Sequence, residues 1–149
     1  DLEPWVNFLR AHATTTRRLN ADLVANHGLT INDYEVLLHL ARAPGHALRR
    51  VDLVDRLLLT PSGITRLLAG LETAGYVRRL ACERDGRVVY AELTNEGLER
   101  LREARETHLA GIHALFLDRF SAEERRTLAE LLERLPLDPA TDDAVCTTD

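Results

Sequence analysis

Thr60, Ser62, Thr65 and Arg66 lie within seven residues of one another, in Thr60-Pro61-Ser62-Gly63-Ile64-Thr65-Arg66. Hydroxyls and a guanidinium at this spacing suit recognition by hydrogen bonding, and arginine is the side chain whose fork matches O6 and N7 of guanine. A second cluster, Arg84-Asp85-Gly86-Arg87, sets two more cations around a turn. An arginine at such a tip can enter a narrow A·T-rich minor groove, where negative potential concentrates. Taken alone, each cluster also reads as an ordinary amphipathic helix start and an ordinary turn. Their neighbours decide between the readings.

The first cluster opens a short helix whose two ends are written into the chain. Thr60 can cap free amides, Pro61 suits the first helical position, and Gly75 supplies the left-handed residue that stops the helix. Ile64, Leu67, Leu68 and Leu71 form its apolar stripe, with Leu59 placed to pack onto Ile64, and Ser62, Thr65, Arg66, Ala69 and Thr73 face the other way. Arg49 to Leu58 predicts the preceding helix, with Val51, Val54, Leu57 and Leu58 inward, and a link this short makes a helix-turn-helix. Downstream, Tyr76 to Cys82 and Arg87 to Leu93 are β-prone runs around Asp85-Gly86, a strong hairpin signal. A hairpin in that place is a wing.

The flanking chain is helical and lacks partners of its own. Residues from about 2 to 26 carry Leu2, Trp5, Val6, Leu9, Ala13, Leu19 and Leu23 on one face, and His27-Gly28 stops them. A helix capped by Thr30 follows, apolar on more than one face up to Ala43-Pro44-Gly45. Thr94 to about Phe120 predicts a further long helix, and Ser121-Ala122-Glu123-Glu124 is a capping box for a last one closed by Pro136. A second copy of the chain could cover the first and last helices in a two-fold dimer. These elements assign 1-28 and 94-135 to a helical dimerisation region, 29-93 to a winged helix-turn-helix, and 136-149 to an acidic tail.

Charge is distributed to match. The net charge of −5 hides a segment from Ala47 to Ala91 with eight arginines against five acids, whereas the chain from Glu92 onward holds seven against fourteen. A local basic surface suffices for phosphate attraction, since exposed charges beyond about 10 Å are screened at roughly 0.1 M salt. No apolar run is long enough to cross a bilayer and no leader pattern is present, so no membrane association and a cytoplasmic location are expected. Cys82 and Cys146 lack metal-type spacing, His108 and His113 do not share a helix face cleanly, and no metal or other cofactor is expected. Nucleophile elbow, phosphate loop, His-Glu-x-x-His and Cys-x-x-Cys patterns are all missing, which argues against an enzyme.

The ordered set of motifs resembles the MarR family of dimeric winged-helix transcriptional regulators over nearly the whole chain to about Leu135. The resemblance rests on Asp52-Leu53-Val54, Thr60-Pro61-Ser62, Ile64-Thr65-Arg66, Leu71-Glu72-Thr73-Ala74-Gly75-Tyr76-Val77-Arg78-Arg79, Asp85-Gly86-Arg87 and Leu93-Thr94-Asn95-Glu96-Gly97. Val88 departs from the pattern, since that position is often basic in the family.

The resemblance implies a mainly α fold with a small β-hairpin wing, in which N- and C-terminal dimerisation helices flank the winged helix-turn-helix. It further implies a homodimeric repressor of a pseudo-palindromic double-stranded DNA site, with the helix of about 60-74 in the major groove and the wing of about 77-92 in the minor groove. Half-sites then lie about 34 to 36 Å apart. The expected DNA contacts are Thr60, Pro61, Ser62, Thr65, Arg66, Arg84, Asp85 and Arg87, with Asp85 holding the arginine and shaping the turn. Many relatives release DNA on binding a small aromatic or anionic molecule, and Trp5, His12, Arg17 and Tyr34 are the candidate effector contacts. The competing reading keeps the fold but makes it a protein-interaction module without specific DNA binding.

Overall fold

The computed structural model describes residues 1–57, 59–82 and 84–136. Six helices are described: α1 (Glu3–His27), α2 (Ile31–Arg42), α3 (Arg50–Leu57), α4 (Pro61–Thr73), α5 (Asn95–Leu115) and α6 (Ala122–Leu132). Three strands, β1 (Ala47–Arg49), β2 (Val77–Ala81) and β3 (Val89–Leu93), and two short 3-10 turns complete the described elements. The mainly α fold with a small antiparallel sheet is therefore the one expected. By packing the chain divides into two units, Asp1–Ile31 with Glu103–Pro136, and Asn32–Arg102. No described helix is long and apolar enough to cross a membrane. The acidic tail beyond Pro136, with Cys146, lies outside the described residues, as do Leu58 and Glu83.

In the unit Asn32–Arg102 the core is built from Tyr34, Val36, Leu37, Leu40, Leu53, Ile64, Leu68, Leu71, Val77, Ala91 and Leu93, all buried. Each large apolar side chain so buried contributes roughly 1.5–3 kcal/mol before the entropy of ordering it is set against the gain. The sheet runs β1-β3-β2 and is antiparallel throughout, with Leu48 opposite Ala91 and Arg79 opposite the same residue from the other side. The β2–β3 hairpin is the wing expected, and β1 adds a third strand that the sequence did not announce. Its three residues carry little strand signal of their own and are held by pairing with β3.

Two further expectations in this unit change. On α3 it is Leu53 that is fully buried, while Val51, expected inward, is 60% exposed. Apolar residues sit on two faces of this eight-residue helix, and β1, entering directly before it, sets which face turns to the core. The wing strands end at Ala81 and restart at Val89, so the connection is longer than the four-residue turn Glu83-Arg84-Asp85-Gly86 expected between Cys82 and Arg87. The Asp85 carboxylate accepts the Arg87 backbone N–H at 3.0 Å and the Val88 N–H bonds the Asp85 carbonyl at 3.0 Å. Asp85 thus opens the turn rather than occupying its middle, which keeps Arg87 out of the strand.

The other unit, Asp1–Ile31 with Glu103–Pro136, is stopped and capped by its own side chains. Gly28 ends α1 in the left-handed region at φ 67°, its N–H bonded to the Val24 carbonyl at 3.0 Å. Asn20 Oδ1 accepts the Ile31 N–H at 2.9 Å, and His27 Nε2 lies 2.7 Å from Thr107 Oγ1. The long helix expected to reach Phe120 stops at Leu115, because Phe116 leaves helical geometry at φ −131°, ψ −68°. Arg119 Nε and Arg125 then donate to the carbonyls of Ala114 and Leu117, groups that a continuous helix would have satisfied itself. The capping box opens α6 as read: Glu124 accepts the Ser121 N–H at 2.8 Å and Ser121 Oγ accepts the Glu124 N–H at 3.3 Å.

Candidate nucleic-acid interface

α4 is fixed at both ends by bonds that the sequence announces. Thr60 Oγ1 accepts the Gly63 N–H at 3.1 Å and Pro61 takes the first helical position. At the other end Gly75 has φ 81°, its N–H bonds the Glu72 carbonyl at 3.0 Å, and the Tyr76 N–H bonds the Leu71 carbonyl at 3.0 Å. That pair of bonds is the Schellman stop. Ile64, Leu68 and Leu71 face the core with Leu67 half-buried, and Ser62, Thr65, Arg66, Ala69 and Thr73 are all exposed. The Thr65 hydroxyl donates to the Pro61 carbonyl at 2.9 Å. Only its lone pairs and methyl group remain for a partner, which suits an amino group or the methyl of thymine.

Ion pairing sorts the arginines of this unit. Arg49 grips Asp52 with two bonds, Nε at 2.9 Å and a terminal nitrogen at 2.8 Å, which holds the Asp52 carboxyl below its usual range. Arg78 pairs with Glu92 across the sheet and lowers that carboxyl too, and Arg79 lies 3.5 Å from Glu72 of α4. Arg56 is also engaged. By contrast Arg66, Arg84 and Arg87 are exposed, and among the described residues no hydrogen bond or ion pair holds their guanidinium groups. Exposed pairs are worth little to stability, but they cancel charge where they occur. Positive charge left uncancelled therefore lies on α4 and the wing turn, with Arg50 half-buried at the start of α3.

Asp85 does only part of what the resemblance implied. It shapes the turn through the Arg87 backbone, and among the described residues it makes no ion pair with the Arg87 side chain. The Arg87 guanidinium is accordingly not tied down by its neighbour.

Of the four effector candidates, Trp5, His12 and Arg17 belong to the first unit and Tyr34 to the other. Trp5 and His12 line an apolar groove of about 790 Å³ with Phe8, Phe116, Phe120 and Leu128, all within the first unit. Trp5 stacks on Phe8 and Phe8 on His12, with ring centres 6.1 and 6.3 Å apart. Arg17 is exposed outside that groove, and Tyr34 is buried in the core of the other unit at 1% exposure. Among the described residues no three of His, Cys, Asp and Glu come together as a metal-binding group. Two residues that the sequence reading passed over, Tyr76 and Arg100, form a contact of their own, for which the only signal was the unexplained Leu93-Thr94-x-x-Gly97 motif.

A tight pair of helices whose second member ends in a three-stranded sheet with a basic turn defines a winged helix-turn-helix protein. The chain belongs to the MarR family of transcriptional regulators: the model of that family matches residues 27–88. It is 35% identical over 115 residues to the HTH-type transcriptional repressor YetL of Bacillus subtilis, spanning 74% of this chain and 68% of that one. Among solved structures it is similar to AbsC, a MarR family transcriptional regulator from Streptomyces coelicolor, at 33% identity and a TM-score of 0.79 over 87% of each chain. Sco3205 from the same organism, solved in complex with DNA, superposes with a TM-score of 0.80 at 30% identity over 87% of this chain and 81% of its own. Like its family, the chain is a regulator of transcription and not an enzyme.

Proposed function

We propose that the chain is a homodimeric repressor that reads a pseudo-palindromic operator in the cytoplasm, with α4 in the major groove and the β2–β3 wing over the adjacent minor groove. The observation that carries this is the sorting of the arginines. Arg66, Arg84 and Arg87 are free of partners among the described residues, on the two elements that such docking would bring to DNA, while Arg49, Arg78 and Arg79 are neutralised. Arg66 takes the base-reading role with Ser62 and Thr65. The α4 start at Thr60 and Pro61 meets a phosphate, and Arg84 and Arg87 serve the wing with Asp85 shaping its turn. That a relative of similar fold, Sco3205, has been solved with DNA supports the same reading.

The dimer follows from the apolar face of the first unit. Nine of the eleven exposed large hydrophobic residues among those described belong to that unit, and Trp5, Phe8, Phe116, Leu131 and Leu135 share one groove. A patch of that extent needs a partner in water, and a second copy supplies the same surface in return. With this face given to the dimer, Trp5 and His12 become interface residues. Arg17, exposed on α1, remains as a candidate contact for a small aromatic or anionic molecule that releases the DNA, whereas Tyr34, buried in the core of its own unit, offers no surface to one.

The test is selection of bound fragments from a random DNA pool by the full chain, followed by affinity against salt for the winning site. An enriched inverted repeat and a linear fall of log affinity with log salt are expected. No enrichment, or binding without that slope, overturns the reading in favour of a protein-docking module. Release of the winning fragment by a compound from a small-molecule screen checks the effector.

A further inference from the structure

We propose that Thr94, Tyr76 and Arg100 form a latch that sets the angle of α4, making them positioning residues for sequence discrimination although none of them touches DNA. The proposal rests on α4 being the reading helix. Residues 75 and 76 follow α4 directly, and every polar group they offer is taken by the opening of α5 or by α4 itself. The Thr94 hydroxyl donates to the Gly75 carbonyl at 2.7 Å and accepts the Gly97 N–H at 3.0 Å. The Thr94 N–H bonds the Tyr76 carbonyl at 3.0 Å, while the Tyr76 N–H is held by Leu71 of α4. Arg100, one turn further along α5, donates from Nε to the Tyr76 hydroxyl at 3.1 Å and lays its guanidinium 5.6 Å from the ring centre. Gly97 leaves no slack: a Cβ there would come within 2.1 Å of the Tyr76 carbonyl oxygen.

The position of the latch determines what it can control. α4 spans thirteen residues, about 20 Å at 1.5 Å per residue, and the latch holds the end away from Ser62, Thr65 and Arg66. A tilt of about 5° about that end would move the reading residues by about 1.2–1.7 Å, at least twice the distance range of a good hydrogen bond. Base readout would fail under such a tilt. Phosphate attraction would survive it, because Coulomb energy changes slowly over that distance.

The measurement is the ratio of operator to unrelated-duplex affinity for the full chain and three variants, with salt slope and melting temperature recorded for each. Thr94→Val removes both hydroxyl bonds, Thr94→Ser restores them, and Tyr76→Phe removes only the bond to Arg100 while keeping the ring beneath the guanidinium. Thr94→Val is expected to lose about fivefold or more of discrimination, the low end of one bidentate base contact, with the unrelated duplex bound within about twofold of the parent. Thr94→Ser should recover it, and Tyr76→Phe should show a smaller loss at an unchanged melting temperature. Equal weakening on both duplexes, or full discrimination in Thr94→Val and Tyr76→Phe, overturns the latch. A parent chain that prefers no sequence overturns the reading beneath it, and the latch falls with it.

Discussion

Arg66 and Arg87 are both exposed and uncommitted among the described residues, yet their surroundings give them different work. Arg66 projects from a helix fixed at both ends, so its guanidinium can be aimed. Arg87 sits on a turn where only its backbone is held. Arg66→Ala is expected to cost about 1–3 kcal/mol on the selected operator and to relax preference at one base position. Arg87→Ala should weaken all sequences more evenly and lower the salt slope by about one. Repeating the fragment selection with each variant checks both. Unchanged base preference in Arg66→Ala would remove its assigned role. Two half-buried groups add a pH dependence of opposite sign. Burial pushes the His108 imidazole below its ordinary 6.5, so the unfolded chain takes up a proton that the folded chain refuses, and stability drains as pH falls from 6.5. Burial raises Glu35 above 4.5, so the folded chain keeps its proton longer, and stability falls as pH climbs through that window. Melting curves from pH 4 to 8 should therefore show His108→Asn flattening the acid limb and Glu35→Gln raising the midpoint at neutral pH.

At the scale of elements, caps and close approaches decide what tolerates change. Gly97→Ala places a methyl against Leu93 Cδ1 at 2.8 Å and against the Tyr76 backbone carbonyl, which its bond from the Thr94 N–H holds in place. A loss of about 1–3 kcal/mol is expected from overpacking, measurable by urea denaturation. Ser121→Ala removes one arm of a capping box on an exposed helix and should cost about 0.5–2 kcal/mol by the same assay. The caps were legible in the sequence because Thr60, Gly75, Gly28 and Ser121 bond to groups within five residues of themselves. The inward face of α3 was not, because Val51 and Leu53 are equally apolar and only the approach of β1 tells them apart. The candidate site divides the same way. Ser62, Thr65 and Arg66 were readable as one exposed face, whereas the pairing of Arg78 with Glu92 and of Arg79 with Glu72, which leaves Arg66 among the uncancelled cations, was not.

For the whole molecule, the exposed apolar face of the first unit is the controlling feature. Phe8→Glu sets a charge in the groove shared with Trp5, His12 and Phe116. A buried unpaired carboxylate is costly in an interface and costs little on a monomer surface. Sedimentation should show the parent chain at twice the mass of the variant, with the variant keeping its helical signal and losing cooperative occupation of the two half-sites. A parent chain that sediments as a monomer would remove the dimer from the reading.

Sequence alone determined the helices, their caps, the wing and the exposed polar face of α4, because those features rest on periodicity and on backbone groups satisfied locally. Tertiary structure alone decided that β1 joins the sheet, that α5 ends at Leu115, which arginines keep their charge and how Tyr76 is pinned to α5. Ala47 pairs with Glu92, Arg78 with Glu92 and Arg100 with Tyr76 across stretches of chain whose closure depends on the packed core. Propensity acts over a few residues, and these bonds exist only once the intervening chain has folded.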